Sequence, residues 1–328
     1  MSIDLRTVTL QPLRQTYGHI ARRFGDKPAS RYQEGTYDLQ ADANFHYRPT
    51  WGPQYEIFDA SRSAIKLADW YVLKDPRQYY YGAYTIARAR SQEVAEAGFN
   101  FVEDNNLVAD MDLALLEKAL TVLVPLRHVA WGANMNNASI GAYGYGAALA
   151  QAAVFHAMDH LGIAQYLTRI GLVLADPSTL DAAKAAWQDS PEWQGLRKYV
   201  EDSFVIQDPV ELHIAQNLVL DGLMYPLIFE SFIKDNLNVP GGTALATLTR
   251  FMSEWFIETR KWVDATTKAI VAESSENQQI VQGWLDRLLP QAEAALLPIA
   301  KITHGDQAAA AVQSARATLD SRLKKSGL

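Results

Sequence analysis

Residues 120 to 137 read LTVLVPLRHVAWGANMNN, with apolar side chains at the three- and four-residue spacing of a helix. Pro125 interrupts this run, because a proline inside a helix removes one backbone hydrogen bond and crowds the preceding turn, at a cost of about 3 kcal/mol. The apolar spacing continues through Val129, so a bent helix is favoured over one that ends near Val124. A small residue such as Gly132 would let another helix approach closely.

The same spacing extends over most of the chain, while the alternation typical of strands is nearly absent. Five long helices are predicted at about 76–104, 111–139, 145–174, 209–235 and 244–273. Shorter helices are expected around 180–203 and 276–300, with an alanine-rich helix at 307–323. Since globular helices average about 11 residues, five longer ones with short connections indicate a helix bundle. We therefore expect one large all-α domain over residues 59–328.

Helix starts are marked by an acidic or hydroxyl residue followed by proline, since the first residue can cap the helix and proline suits its first turn. A first helix is expected at about Ser61 to Leu73. Further starts are predicted at Asp75-Pro76, Asp176-Pro177, Ser190-Pro191 and Asp208-Pro209.

Residues 1–58 are different, because they are rich in arginine and aromatic residues and lack a sustained period. Disordered segments are poor in aromatic residues, whereas this stretch includes Tyr17, Tyr32 and Trp51. We expect an N-terminal arm that is ordered by packing on the body or on a partner.

Composition limits the classes of protein to consider. The 328 residues are 48% hydrophobic and can bury a large core. A net charge of −7, with 30 basic residues that form no stripe, argues against nucleic-acid binding. The first residues lack an apolar signal core, and no run approaches the ~18 apolar residues that a membrane span requires. The expectation is a cytoplasmic protein that binds neither nucleic acid nor membrane.

Two histidines have the spacing of metal ligands on one helix face, namely His156 and His160, with Asp159 beside them. Their neighbours are apolar, and no third ligand is in evident register. We therefore interpret them as a packed or surface pair rather than a metal site. The absence of cysteine removes thiolate ligands and nucleophiles.

Bundles that hold two irons carry Glu-x-x-His on two of their core helices, because residues three apart lie on one face. This chain has no such motif. The residues three before its seven histidines are Thr16, Ala43, Pro125, Ala153, Ala157, Val210 and Lys301. Two near-misses occur, one from Pro125 to His128 and one from Glu258 to Lys261.

Several motifs resemble the β subunit of bacterial multicomponent phenol hydroxylases, and the resemblance covers nearly the whole chain. They are FHYRPTW at 45–51, DWY at 69–71, DPRQYYYGAY at 75–84, the run 124–137, and QNLVLDGL at 216–223. Related β subunits occur in toluene, alkene and methane monooxygenases. The 124–137 run favours the phenol enzyme.

The resemblance implies a ferritin-like helical bundle that contains no iron and pairs with a catalytic α subunit and a small γ subunit. The α subunit of such enzymes holds the di-iron centre, and the αβγ unit forms a dimer. The complex hydroxylates phenol and related aromatics with O2, meets a regulatory protein, and receives electrons from NADH through a reductase. The chain itself would be a non-catalytic structural subunit, with no catalytic, cofactor-binding or metal-binding residue.

The resemblance also places vestigial di-iron positions in this sequence. They are Pro125, His128, Glu258 and Lys261, with Glu96 and Asp221 near the two lone carboxylate positions. Proline cannot ligate a metal, and a lysine ammonium would place a positive charge beside the cation. We expect the ammonium of Lys261 to lie near the carboxylate of Glu96 or Glu258 and to replace the metal charge, and His128 to be hydrogen-bonded.

Three other interpretations remain open. The chain could be the β subunit of a toluene monooxygenase, a free-standing di-iron oxidase, or a metal-free helical binding protein. Iron content of the isolated chain and co-purification with an iron-bearing partner distinguish these classes.

Overall fold

A computed structural model describes residues 16–40, 48, 50 and 52–328. The first 15 residues of the arm and most of the 45–51 motif lie outside the described residues. The structure is all-α, as expected, and its described residues contain no strand. The helices are α1 Gly18–Phe24, α2 Arg31–Glu34, α3 Tyr81–Asp104, α4 Leu113–Leu123, α5 Leu126–Tyr143, α6 Ala147–Leu174, α7 Ser178–Asp189, α8 Pro191–Ser203, α9 Pro209–Asp235, α10 Gly242–Glu273, α11 Ser275–His304 and α12 Ala308–Ser326.

The expected helix from Ser61 to Leu73 is wrong. That segment holds only two single turns of 3-10 helix, Ala60–Arg62 and Trp70–Val72, each begun by an aspartate whose side chain accepts a backbone N–H. Short polar side chains that hydrogen-bond to the nearby backbone favour turns over continued helix. The segment is therefore a connector with two capped turns.

The predicted start at Asp75 is also wrong, because α3 begins at Tyr81. The Asp75 carboxylate accepts hydrogen bonds from the backbone N–H and the guanidinium of Arg77, at 2.9 Å each. Asp75 therefore stabilises a turn and a buried ion pair instead of a helix. The starts at Ser190 and Asp208 are confirmed, since these residues precede α8 and α9 directly.

Pro125 divides the predicted 111–139 helix into α4 and α5. Val124 and Pro125 keep helical backbone angles, while the helical hydrogen-bond ladder is interrupted between α4 and α5. The close approach expected at Gly132 is present: a Cβ there would lie 2.4 Å from Cγ1 of Val200 on α8.

Two antiparallel helix pairs form the centre of the bundle, and the last two helices pack on it. The first pair is α5 with α6, and the second is α9 with α10. Helices α11 and α12 cover α9 and α10, and α3 packs along α10. The inner faces of the two pairs enclose the polar centre described below.

Helix α9 is unusual because two of its segments, Ile214–Leu220 and Pro226–Phe232, are π-helical. Its length and a mean hydropathy of 1.2 over an 18-residue window satisfy the composition of a membrane span, contrary to the sequence expectation. All of that window is buried inside the structure. A helix that is hydrophobic on all sides and covered by others is typical of a protein core.

The described part of the arm packs on the body. The hydroxyl of Tyr32 accepts the backbone N–H of Asp75 at 2.7 Å, and Arg23 pairs with Asp69. The side chain of Gln40 accepts the backbone N–H of Gly146 just before α6. These contacts fix α1 and α2 against the connector and the start of α6.

Candidate functional site

Three buried side chains from two helices converge in the centre of the bundle. His156 and His160, one turn apart on α6, face Asp221 on α9. The Oδ2 atom of Asp221 lies 3.3 Å from Nε2 of His160 and 3.7 Å from Nε2 of His156. Each of the three residues is at most 2% exposed. Donor atoms of all three lie within 4.8 Å of one another, so the set could hold a metal ion.

Five polar atoms of this cluster have no hydrogen-bond partner among the described residues. They are both ring nitrogens of His156, both of His160, and Oδ2 of Asp221. The other oxygen of Asp221 accepts a hydrogen bond from Gln216 at 3.0 Å. Because buried polar groups are normally satisfied, such a concentration calls for an explanation.

Burial determines the ionisation of this cluster. Burial lowers the pKa of His156 to about 4, and it lowers the pKa of His213, which precedes Asp221 on α9, to about 3. Both rings are therefore neutral at pH 7. Burial opposes the charge of Asp221, but His160 and His156 outweigh it and lower the pKa of the carboxyl. Trp255 and Trp262 of α10 lie 4.9 and 5.3 Å from the His156 ring and exclude water from this side.

Helix α5 contributes amides to the centre. Asn137 and Asn217 exchange two hydrogen bonds of 2.8 and 2.9 Å across α5 and α9. Asn136 donates to Gln216 at 2.9 Å. Amide pairs satisfy one another without charge, so this side of the interior needs no cation.

A second cluster, beside the first, is charged and fully paired. The carboxylate of Asp159 accepts hydrogen bonds from Tyr84, Trp255 and the guanidinium of Arg88, at 2.7 to 2.9 Å. Arg88 also pairs with Glu258 at 2.9 Å. Burial opposes the charge of Arg88, but Asp159 and Glu258 outweigh it and raise the pKa of the guanidinium. Arg88 thus serves as an internal counter-ion for two carboxylates.

The vestigial positions taken from the resemblance are mostly elsewhere. Pro125 directly precedes α5. His128 lies on the outer side of α5, stacked on Trp187 at 5.6 Å, and lines a surface cleft of about 510 Å3. The side chain of Arg127 donates weakly to its Nε2 at 3.5 Å. The resemblance placed His128 at a di-iron position in the centre, whereas in the structure its ring lies on the face of α5 that turns away from the centre.

The expected pairing of Lys261 is wrong. Its side chain is exposed and forms no ion pair with any described residue. Glu96 pairs with Arg169 at 2.5 Å, and Glu258 with Arg88. Arginine is therefore the cation where lysine was expected. Of the six vestigial positions, only Asp221 lies in the buried histidine cluster.

The histidine pair was interpreted from the sequence as packed or at the surface, because a third ligand was missing. The structure confirms that the pair is packed and supplies a third donor, Asp221. The available signal was two histidines four apart on an otherwise apolar helix. The π turn that precedes Asp221 changes the register of α9, so ordinary helical spacing does not show which residue faces them.

The centre does not fit a di-iron carboxylate site. Such a site takes a glutamate from each of two helices and Glu-x-x-His from each of the other two. The fully buried carboxylates of the described residues are Asp75, Asp159 and Asp221, and arginines neutralise the first two. At the corresponding depth α5 offers amides and α10 offers tryptophans. One free carboxylate cannot balance two iron ions.

The long helix pairs and their polar centre define a ferritin-like helical bundle. The sequence model described as Methane/Phenol/Alkene Hydroxylase matches residues 51–274. The chain belongs to that family.

Two relatives match over the full length of the chain. The oxygenase component DmpL of phenol 2-monooxygenase from Pseudomonas sp. (strain CF600) is 51% identical over 100% of this chain and 98% of its own. The component MhpL from Acinetobacter pittii (strain PHEA-2) is 43% identical with the same coverage. The hydroxylase subunit beta of the toluene-4-monooxygenase system from Ectopseudomonas mendocina is 22% identical over 75% of this chain and 74% of its own.

Two solved structures of hydroxylases superpose on nearly the whole chain. A chain of phenol hydroxylase from Pseudomonas sp. OX1 superposes with a TM-score of 0.91 and 44% identity, covering 99% of this chain and 98% of its own. A chain of toluene 4-monooxygenase superposes with a TM-score of 0.75 at 17% identity, covering 93% and 99%. The second likeness supports the fold alone.

Proposed function

We propose that this chain is the non-catalytic β subunit of a di-iron hydroxylase that hydroxylates phenol with O2 and electrons from NADH. The proposal is supported by 51% identity over the full chain to a phenol 2-monooxygenase oxygenase component. A more distant relative, 22% identical over 75% of this chain, is named a hydroxylase subunit beta. The chain would hold the catalytic α subunits in their dimer, together with the small γ subunit.

The donor set at the bundle centre carries the non-catalytic part of this proposal. A di-iron oxygenase needs several carboxylates that are free to bind its metals. Among the fully buried carboxylates of the described residues, only Asp221 has no arginine partner, and Asp159 is held by four hydrogen bonds. The interior is closed by Trp255 and Trp262, which are at most 2% exposed. The iron and the oxygen chemistry would belong to the α subunit, and electron delivery and regulation to separate proteins.

Exposed apolar side chains on the outer faces of α5 and α6 support a role in assembly. Trp131 and Met135 lie one turn apart on α5, and Met158 and Leu161 lie close together on α6, each 40 to 53% exposed. Clustered exposed apolar residues mark interaction sites more often than isolated ones. The partner subunits of the hydroxylase would cover this face.

The main experiment compares the chain purified alone with the chain co-expressed with its α and γ partners. Alone, it should hold no di-iron centre and should not consume O2 with NADH and reductase. Co-expressed, it should purify with an iron-bearing partner, and the complex should hydroxylate phenol. Two irons per chain with phenol-dependent O2 uptake by the isolated chain would overturn the proposal.

A pair of variants tests the assembly face. Trp131→Glu places a charge on that face and should reduce the amount of α subunit that co-purifies with the tagged chain. Leu237→Glu is the control, because Leu237 is 41% exposed and lies in the loop between α9 and α10 rather than on α5 or α6. Equal recovery of α with both variants would contradict the assignment of this face.

A further inference from the structure

The buried histidine cluster has a geometry that the assembly role does not explain. Its three donors come from α6 and α9, and five of their polar atoms lack partners among the described residues. The two imidazole rings bring at least two N–H donors into the cavity, whereas Asp221 Oδ2 is the one carboxylate oxygen of the three residues left to accept. Hydrogen bonds within the cluster therefore cannot satisfy it.

The distance from Asp221 Oδ2 to Nε2 of His160 matches that between two ligands of one small cation, and the distance to Nε2 of His156 is slightly longer. Zinc binds imidazole nitrogen and carboxylate oxygen at about 2.0–2.2 Å, so neighbouring donors are separated by roughly 3.0 Å at a right angle and roughly 3.4 Å at the tetrahedral angle. Asp221 Oδ2 lies 3.3 and 3.7 Å from the two Nε2 atoms. A direct charge-assisted hydrogen bond would be shorter, at about 2.7–2.9 Å.

We propose that His156, His160 and Asp221 bind a single divalent transition-metal ion such as Zn2+. The ion satisfies three of the five unpartnered atoms at once. Two imidazoles and one carboxylate form a common ligand set for such ions, with a further position open to water. Gln216 donates to the other oxygen of Asp221 and fixes its orientation, as groups behind metal ligands usually do.

This site differs from a di-iron centre in number of ions and in ligands. It gives the ion a structural role, linking α6 to α9 across the bundle, and contradicts the sequence expectation that the chain holds no metal.

The experiment uses the full-length chain, stripped with a chelator under mild denaturation and refolded with or without Zn2+. The expected result is one Zn2+ per chain that resists dialysis, and an unfolding temperature that rises with Zn2+. Co2+, whose visible absorption reports its coordination, should give the spectrum of an imidazole and carboxylate site. A refolded chain that binds neither ion stoichiometrically would overturn the proposal and leave ordered water as the occupant.

Variants assign the ion to this cluster. Asp221→Asn keeps the side-chain shape, so it should remain folded while losing Zn2+ retention and the Co2+ absorption. His160→Gln should do the same. His128→Gln is the control, because His128 lies outside the cluster and its loss should change neither readout. If Asp221→Asn does not fold, the comparison of the parent with His160→Gln decides; retention of Zn2+ by His160→Gln contradicts the site.

The result is independent of the proposed assembly role. A chain without Zn2+ that still co-purifies with an iron-bearing partner refutes this inference alone. A chain that binds one Zn2+ but assembles with nothing refutes the proposed function alone.

Discussion

Arg88 is the residue on which the charge balance of the interior depends. Removing one partner of a buried ion pair typically costs about 3–5 kcal/mol, because the other charge stays buried without compensation. Arg88→Met should therefore destabilise the chain by about that amount at pH 7, as measured by urea unfolding. The loss should shrink at a pH low enough to protonate Asp159, since a neutral carboxyl is tolerated.

Lys261→Met is the matched control for this variant. Lys261 is exposed and has no ion pair with any described residue, so its replacement should change the free energy of unfolding by no more than about 0.5 kcal/mol. An equal effect of the two variants would mean that Arg88 does not carry the charge balance.

His128 should make the chain sensitive to mild acid. Burial, with smaller effects of Arg127 and Lys184, lowers the pKa of His128 to about 4 from 6.5. Between these values the unfolded state binds a proton that the folded state does not, so the free energy of unfolding falls as pH falls through this range. His128→Gln should reduce the slope of that part of the curve of unfolding free energy against pH, while His156 and His213, whose pKa values are also lowered, keep the rest of it.

The same variant tests the position of His128 relative to iron. In the purified complex, His128→Gln should leave the iron content unchanged, because this ring stacks on Trp187 at the outer side of α5. A stoichiometric loss of iron would show that His128 lies at a metal site after all.

At the residue scale, the sequence predicted some local features and missed the central site. Asp208 was identified as a helix start because capping depends only on neighbouring residues. The partner of the histidine pair could not be identified, because Asp221 is 61 residues after His160 and meets it only through packing. The expected cation, Lys261, was displaced by Arg88, which lies on α3 rather than on the helix of Glu258.

At the scale of helices, close packing of α5 on α8 depends on Gly132. A methyl group there would lie 2.4 Å from Val200, so the helices would have to separate. Gly132→Ala should destabilise the chain by about 1–3 kcal/mol, the usual cost of overpacking, in urea unfolding.

Gly283→Ala tests the opposite case in α11. No atom lies within 4 Å of a Cβ at this position, so alanine meets open space. Alanine is favoured over glycine inside a helix, and this variant should stabilise the chain by about 1 kcal/mol or less. Destabilisation by both substitutions would mean that helix separation is not the cause at Gly132.

Helix positions were predicted more reliably than helix register. The 209–235 helix was predicted with the boundaries that α9 has, since its apolar run is bounded by clear start and stop signals. Its two π segments carry no comparable signal, and they decide which face Asp221 occupies. The 111–139 helix was predicted as one helix with a bend at Pro125, because proline removes a backbone hydrogen bond inside a helix. In the structure the helical hydrogen bonds are interrupted there, and α4 and α5 are separate helices.

At the scale of the whole molecule, the N-terminal arm is expected to contribute to assembly with the partner subunits and little to the folding of the helical bundle. Deleting residues 1–58 removes few of the contacts that build the bundle, since its described contacts are to the connector and to the start of α6. The truncated chain should keep its helical circular dichroism and a cooperative transition. It should recover less α subunit in a pull-down, and normal recovery would contradict a role of the arm in assembly.

The burial of α9 has a consequence for biosynthesis. This helix leaves the ribosome before α10, α11 and α12, which later cover it, and the remaining 87 residues (242–328) take roughly 4 to 17 s to synthesise at 5–20 residues per second. During that interval a segment as apolar as a membrane span can pack only against the helices that precede it in the chain. The nascent chain is then at its most prone to aggregation, and chaperone protection is most valuable before the last three helices arrive.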